Sequence, residues 1–166
     1  MITERLRTKK YKKLPFVRTN LGHYLKVGNT VEILYIVDAD TFDIKAFINL
    51  RDVPNSICPD DDCKVGMEVI LNIRLFGIDC REKYDEYGQK AKEYVADLFL
   101  LNNNRVTILA LPLDKKDKYN RLLARVGLKD ENGTFVDLSD HLISKKIDGR
   151  SIANPYNGGT KMEFVD

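Results

Sequence analysis

Apolar and polar side chains alternate in the first half of the chain and predict β-strands there. Residues 31–50 contain two apolar runs around a tight turn at residues 38–41, as expected of two paired strands. Residues 67–78 show the same alternation and predict a third strand. The segment between them, residues 51–66, is rich in Pro and Asp and predicts a loop. The alternating apolar positions are Phe42, Ile44, Ala46 and Ile48 in the second strand and Met67, Val69, Leu71, Ile73 and Leu75 in the third.

The apolar spacing changes to three and four positions after the third strand, which predicts an amphipathic helix. Three successive asparagines at residues 102–104 are expected to end this helix. Residues 105–111 and 121–129 then return to strand-like patterns. The helical positions are Tyr84, Tyr87, Ala91, Tyr94, Val95, Leu98 and Phe99.

A second, shorter helix is predicted over residues 137–147. Asp137 is a favourable N-cap residue, and Lys145 and Lys146 would complement the helix dipole in the last turn. Gly149 is expected to end the helix. The tail that follows, residues 154–166, has the composition of a loop.

The order of these elements, β-β-β-α-β-β-α, predicts an α+β fold. Five strands with a helix after the third match a five-stranded OB-fold-type barrel, here with two to three helices. We expect residues 27–153 to form this domain, residues 1–26 to form a flexible basic arm and residues 154–166 to form a C-terminal tail. Barrels of this type bind nucleic acids and oligosaccharides, but the fold alone does not define the function.

The charges are distributed unevenly along the chain. Residues 1–26 carry eight Lys or Arg against one acid, a net +7, whereas the other residues carry 19 bases and 24 acids, a net −5. The basic arm could bind a phosphate backbone or serve as a nuclear address, but a solvated tail is the default interpretation.

The sequence contains no apolar run of membrane-spanning length. The first residues are charged and lack an apolar segment, so we expect no secretory signal. Its three cysteines, an odd number, favour reduced thiols. We therefore expect an intracellular protein, a monomer without membrane contact.

Three polar clusters follow predicted strands and together suggest phosphodiester chemistry. Asp40 and Asp79 offer hard oxygen ligands to a divalent cation, and Glu82 could reach a water molecule on that cation. Arg74 and Arg121 could bind a phosphate from two sides, because a guanidinium matches phosphate oxygens bidentately. Each cluster alone has an ordinary explanation as a turn or a solvated surface.

The sequence resembles the staphylococcal-nuclease-like (thermonuclease) family over residues 31–156. The resemblance rests on "VDADT" for I-D-G-D-T, on "IRLFGIDCRE" for R-L-x-x-x-D-x-x-E, and on "DKYNR" for D-K-Y-G-R. Three motifs in the same order and at compatible spacing are specific, whereas one motif alone would not be.

The resemblance implies a Ca²⁺-dependent nuclease, with endo- and exonuclease activity on DNA and RNA. The implied substrate is mainly single-stranded, and the implied products carry 3′-phosphates. One Ca²⁺ ion is implied, together with three groups of residues. These are Asp40, Asp79 and the backbone carbonyl of Cys80 as metal ligands; Arg74, Glu82 and Arg121 as catalytic residues; and Lys118, Tyr119 and Tyr156 as substrate-binding residues.

The sequence departs from the family motifs at several positions. Cys80 and Arg81 replace a common Thr-Pro, and Ala39 replaces a glycine. Arg81 would add positive charge beside the metal, where it could compete with the metal or bind substrate. Two alternatives therefore remain open: a catalytically weak or inactive nucleic-acid-binding OB module, and a protein-interaction module whose acids cap turns.

Overall fold

The computed structural model describes residues 25–49, 66–112, 115, 117–119, 121–156, 158–159 and 161–164. Almost all of the predicted basic arm and of the predicted loop over residues 51–66 lies outside these ranges. Leu25, which falls in the predicted arm, is buried in the core. No helix among the described residues has both the length and the apolar character needed to cross a membrane.

Five strands form a closed barrel, which confirms the predicted α+β, OB-type fold. The barrel strands are β1 (Thr30–Asp38), β2 (Thr41–Asn49), β3 (Gly66–Leu75), β5 (Arg105–Ala110) and β6 (Leu122–Lys129). Strand β1 pairs antiparallel with β2 and β5, β2 pairs antiparallel with β3, and β5 pairs antiparallel with β6. Strands β3 and β6 run parallel and close the barrel, with Ile73 opposite Leu122 and Leu75 opposite Ala124.

The first helix, α1 (Glu86–Leu101), begins later than its apolar pattern predicted. The side chain of Asp85 accepts a hydrogen bond from the backbone N–H of Tyr87 and thereby caps the helix. Tyr84 precedes this cap and is 85% exposed, so its assignment to the apolar face was wrong. The helix packs on the barrel with one face. On this face the rings of Phe99 and Phe42 meet edge to face, with their centres 5.2 Å apart.

The second helix, α2 (Leu138–Ser144), is shorter than predicted. Asp137 is its N-cap, as expected, and accepts hydrogen bonds from the next turn. Lys145 is the C-cap and Lys146 lies beyond the helix, so their placement in the last turn was wrong; the basic residue of that turn is His141. Gly149 does not end the helix, because it follows β8 (Lys146–Ile147) and precedes β9 (Arg150–Ser151).

The predicted third strand is interrupted. Strand β3 ends at Leu75, Gly77 adopts φ 89° in a turn, and the chain resumes as β4 (Ile78–Cys80). The start of the predicted loop-like tail pairs antiparallel with β4 as strand β10 (Ala153–Pro155). A further short strand, β7 (Phe135–Asp137), extends the sheet beside β6.

One end of the barrel brings together the three motifs of the sequence. Thr41, which begins β2, pairs with Arg74 near the end of β3, and Arg74 pairs with Leu123 near the start of β6. The backbone N–H of Leu75 also donates to the carbonyl of Asp40. Side chains from the β1–β2 turn, from the segment after β3 and from the segment before β6 therefore converge there.

Candidate active site

A cavity of about 460 Å³ lies at this end of the barrel. Every residue to which the sequence assigned a site role lines it, so the structure brings the whole predicted set together. These residues are Asp40, Arg74, Asp79, Cys80, Glu82, Lys118, Tyr119, Arg121 and Tyr156.

Arg74 bridges the two predicted metal ligands. Its Nη1 lies 3.0 Å from Oδ2 of Asp40, and its Nη2 lies 3.4 Å from Oδ1 of Asp79. All three residues are buried. Because an unpaired buried charge is strongly unfavourable, removing any one of the three would leave a buried charge without its partner. Arg74 is thus fixed against both carboxylates.

Asp40 is held by two further donors. The hydroxyl of Thr41 donates to Oδ1 at 3.0 Å, and the backbone N–H of Cys80 donates to Oδ2 at 2.9 Å. The second bond ties the β1–β2 turn directly to β4. The two predicted carboxylate ligands therefore have a fixed relative position before any substrate binds.

Asp38 stands beside this pair with one unsatisfied oxygen. Its Oδ1 is buried and has no hydrogen-bond partner among the described residues. Burial raises the pKa of Asp38, and the nearby charges of Asp40 and Glu82 raise it further. This part of the cavity therefore favours an additional cation.

Glu82 lies at the rim of the cavity, with a side chain that is 66% exposed. Its backbone carbonyl accepts the N–H of Asp85, which leads into α1. Gly88 of that helix packs directly beneath: a Cβ atom at Gly88 would lie 1.9 Å from the carbonyl oxygen of Glu82. The helix thus supports the backbone that presents Glu82 to solvent.

Arg121 is oriented by Asp117, a residue to which sequence analysis gave no role. Nε and Nη2 of Arg121 donate to the two oxygens of Asp117, and Nη1 lies 3.4 Å from the hydroxyl of Thr41. Partial burial opposes the charged forms of both residues, but their pairing outweighs it and leaves the pKa of Asp117 lowered and that of Arg121 raised. Asp117 and Arg121 are the first and last residues of the motif "DKYNR", so the sequence already contained the signal for this pair.

Tyr119 belongs to the same loop and stands beside Arg121. Its backbone N–H donates to Asp117, its side chain is exposed, and Cζ of Arg121 lies 5.1 Å from the centre of its ring. Nζ of Lys118 lies 4.9 Å from the centre of the same ring. The loop thus presents an aromatic ring with two cations close to it.

Arg81 is not a free charge beside the predicted metal ligands. Its side chain is only 2% exposed and pairs with Asp85 through Nη1 at 3.0 Å. Nε donates to the carbonyl of Ser151, and the guanidinium lies against the rings of Tyr87 and Phe164. Arg81 therefore ties the Glu82 loop to the helix and to the C-terminal segment.

The thiol of Cys80 has a structural environment. It is buried, and burial followed by the charge of Asp40 raises its pKa well above the usual value. A thiol that resists ionisation is a poor nucleophile. Only the backbone of Cys80 is therefore a candidate for the chemistry of the site.

Lys161 is a cavity residue that sequence analysis missed. Its Nζ lies 3.2 Å from Oδ1 of Asp79 and 3.8 Å from Oε1 of Glu82. Partial burial opposes its charge, but the bond to Asp79 dominates and the pKa of Lys161 is raised. No periodicity or motif marks it in the sequence, because contacts of the folded chain, such as the pairing of β10 with β4, bring it to the site.

The donor set fits a hard divalent cation such as Ca²⁺. Within the described ranges, no group of three or more His, Cys, Asp or Glu side chains is arranged to hold a metal ion. The predicted set, however, needs only two carboxylates and one backbone carbonyl, and Asp40 and Asp79 are already fixed together by Arg74. The unsatisfied oxygen of Asp38 adds negative potential at the same place.

The barrel and the side chains at its open end define a nuclease-like OB-fold protein. Residues 72–146 match the family model described as staphylococcal nuclease homologue. This part of the chain is therefore similar to staphylococcal nuclease, which confirms the resemblance that the motifs predicted. The matched segment includes Arg74, Asp79, Glu82 and Arg121, whereas Asp40 precedes it. A search of the curated proteins gives no match.

Proposed function

We propose that this protein is a Ca²⁺-dependent nuclease that hydrolyses phosphodiester bonds in DNA or RNA, mainly in single strands, and leaves 3′-phosphates. One observation carries the proposal. Two arginines border one cavity, Arg74 from β3 and Arg121 from the segment before β6. The carboxylates of Asp40, Asp79 and Glu82 line the same cavity. Such a set supplies both recognition of a phosphate and activation of water.

The arginines bind the scissile phosphate in this mechanism. Asp117 fixes the plane of the Arg121 guanidinium, so little side-chain entropy is lost when the phosphate binds. Charge that develops on the phosphoryl oxygens in the transition state is then stabilised by donors already in place.

The flanking nucleotides bind beside the arginines. Lys118 and Tyr119 contact a neighbouring phosphate, while Tyr156, which also lines the cavity, offers a ring face to a base. Such a ring stacks on any base, which suits a single-stranded substrate of varied sequence.

Asp40, Asp79 and the carbonyl of Cys80 would hold the cation. When bound, the ion would neutralise phosphate charge and lower the pKa of a coordinated water. Asp40 keeps its orientation through Thr41 and the Cys80 N–H, whatever the state of the cation site.

Glu82 accepts a proton from the attacking water. Its exposed carboxylate is accessible to that water, and α1 fixes the backbone that carries it. The water oxygen forms a bond to phosphorus, the P–O5′ bond breaks, and the leaving 5′-oxygen takes up a proton from solvent. The upstream fragment retains the phosphate on its 3′-oxygen, and the downstream fragment carries a 5′-hydroxyl.

The deciding experiment is a Ca²⁺-titrated cleavage assay on single-stranded DNA, duplex DNA and RNA, with analysis of the product ends. Replacing the general base in Glu82→Gln should lower the rate by about 10²–10⁴-fold, and Arg121→Ala should lower it strongly as well. The matched controls are Glu93→Gln and Arg105→Ala, two exposed positions outside the cavity. Wild-type rates in the Glu82→Gln/Arg121→Ala variant would contradict the proposal.

A nucleic-acid-binding module without catalysis is the second candidate. It is favoured by the cations of Arg74 and Lys161, which already neutralise the carboxylates of the cavity. Such a module would bind single strands equally well with or without a chelator and would yield no product at any Ca²⁺ concentration.

A further inference from the structure

A segment of the C-terminal tail enters the cavity and places a cation on its acids. The ammonium group of Lys161 contacts both Asp79 and Glu82, at 3.2 and 3.8 Å. These are the carboxylates proposed to hold the metal and to activate the water. The Lys161 side chain is 53% exposed, so it reaches the cavity from the solvent side and can leave by the same route.

The tail is anchored on both sides of Lys161. Before it, the backbone N–H of Tyr156 donates to the carbonyl of Gly77 at 2.9 Å. After it, the Phe164 ring lies 4.7 Å from Cζ of Arg81, and the Asn154 side chain donates to the carbonyl of Met162 at 3.3 Å. The position of Lys161 is therefore set by several contacts and not by its ion pairs alone.

The charges around Asp79 and Glu82 explain why a cation is attracted there. Five acids line the cavity; Arg74 is already engaged with two of them, and Arg121 with a third. Lys161 supplies a further positive charge to Asp79 and to the solvent-exposed Glu82. A divalent ion and the Lys161 ammonium repel each other at such short range, so binding of one disfavours binding of the other. The five acids are Asp38, Asp40, Asp79, Glu82 and Asp117.

We propose that Lys161 is an internal cation of the site, which a metal ion has to displace from Asp79 and Glu82, and that the C-terminal segment thereby sets the metal affinity. This inference rests on the proposed function, because it takes Asp79 as a ligand of Ca²⁺. It assigns a role to a residue outside the three motifs and outside the segment matched by the family model.

Calorimetric titration with Ca²⁺, without substrate, tests the inference. Lys161→Met keeps most of the side-chain length and removes the charge, so the affinity should rise about tenfold, as expected for loss of one solvent-screened charge beside a divalent ion. Lys161→Arg keeps the charge and should retain the wild-type affinity. Lys146→Met is the matched control, because it removes one exposed lysine charge outside the cavity and should leave the affinity unchanged.

A second variant, Phe164→Ala, removes the aromatic anchor and leaves the lysine in place. It should raise the Ca²⁺ affinity by a smaller factor, about threefold, because Lys161 then occupies the acids for less of the time. The rise in the midpoint of thermal unfolding on adding Ca²⁺ should follow the same order as the affinities.

The outcomes separate this inference from the proposed function. Equal affinity for Ca²⁺ in wild type, Lys161→Met and Phe164→Ala would overturn the role of Lys161 and leave the nuclease proposal standing. Lack of Ca²⁺ binding in every variant would overturn both, because there would be no cation for Lys161 to oppose.

Discussion

Asp117 and Arg121 form a two-point ion pair, with Nε and Nη2 of the arginine 2.9 and 3.0 Å from the two carboxylate oxygens. The carboxylate also accepts the backbone N–H of Arg121 at 3.1 Å. A bidentate pair fixes the plane of the guanidinium as well as its position. The remaining nitrogen, Nη1, lies 3.4 Å from the hydroxyl oxygen of Thr41, which lines the cavity.

Asp117→Asn should therefore lower kcat while changing KM little. The amide leaves the charge of Arg121 in place but loosens its orientation, and we expect a loss of about tenfold in kcat. Steady-state kinetics on a single-stranded oligonucleotide measures kcat and KM separately. Asp140→Asn is the matched control, because Asp140 also pairs with an arginine but lies outside the cavity.

A double variant separates positioning from a direct role of Asp117. If Asp117 acts only through Arg121, the Asp117→Asn/Arg121→Ala variant should be no slower than Arg121→Ala alone. A further loss of activity in the double variant would show that Asp117 has a role of its own.

The sequence predicted the positions of the site residues along the strands but not all of their partners. Arg74 and Asp79 stand near the end of the predicted third strand, where the apolar run becomes polar, although the structure divides that strand at Gly77. Lys161 could not be predicted, because its contact with Asp79 depends on a strand pairing that only the folded chain creates. The start of α1 was missed because Asp85 caps the helix after Tyr84, and side-chain capping overrides apolar spacing at helix ends.

Gly88→Ala should impair the site although the position is helical. Alanine normally stabilises a helix interior by about 1 kcal/mol relative to glycine. At Gly88 the new Cβ would lie 1.9 Å from the carbonyl oxygen of Glu82 and 3.1 Å from that of Arg81, so the loop has to move. We expect no gain in stability and a loss of up to about 10²-fold in kcat, the effect of misplacing a catalytic group by about 1 Å.

Urea unfolding and single-turnover cleavage together test the Gly88 prediction. Glu93→Ala is the control, because it changes an exposed position of the same helix and should keep full activity. An active Gly88→Ala protein with raised stability would show that the Glu82 loop tolerates the displacement.

Arg81→Met should destabilise the fold more than an ordinary surface substitution does. The change removes the ion pair with Asp85, the bond to the Ser151 carbonyl and the ring contacts, and we expect a loss of about 3 kcal/mol in the free energy of unfolding. Arg81→Lys should lose less, because it keeps the charge but not the two-point geometry.

Denaturant unfolding measures the Arg81 effect, with Arg150→Met as the control. Arg150 also lies against the Tyr87 ring, with Cζ 4.6 Å from the ring centre. Its side chain, however, is less buried than that of Arg81. Equal losses of stability for the two variants would mean that the ring contact alone, and not the buried network of Arg81, stabilises this corner.

Asp38→Asn should stabilise the metal-free protein at neutral pH. Burial and the charges of Asp40 and Glu82 raise the pKa of Asp38 above that of the unfolded chain, so the folded state binds the proton more tightly. The charged form of Asp38 therefore lowers stability at every pH above its folded pKa, and this penalty disappears as the pH falls below the unfolded value of about 3.9. We expect Asn to raise Tm by about 3 °C at pH 7 in the presence of a chelator. The difference from wild type should shrink steadily towards pH 3.

Asp97→Asn, an exposed change on α1, should show no such pH-dependent gain. A wild-type Tm for Asp38→Asn across the whole pH range would mean that Asp38 is solvated in the metal-free protein and does not contribute to the negative potential at the cation site.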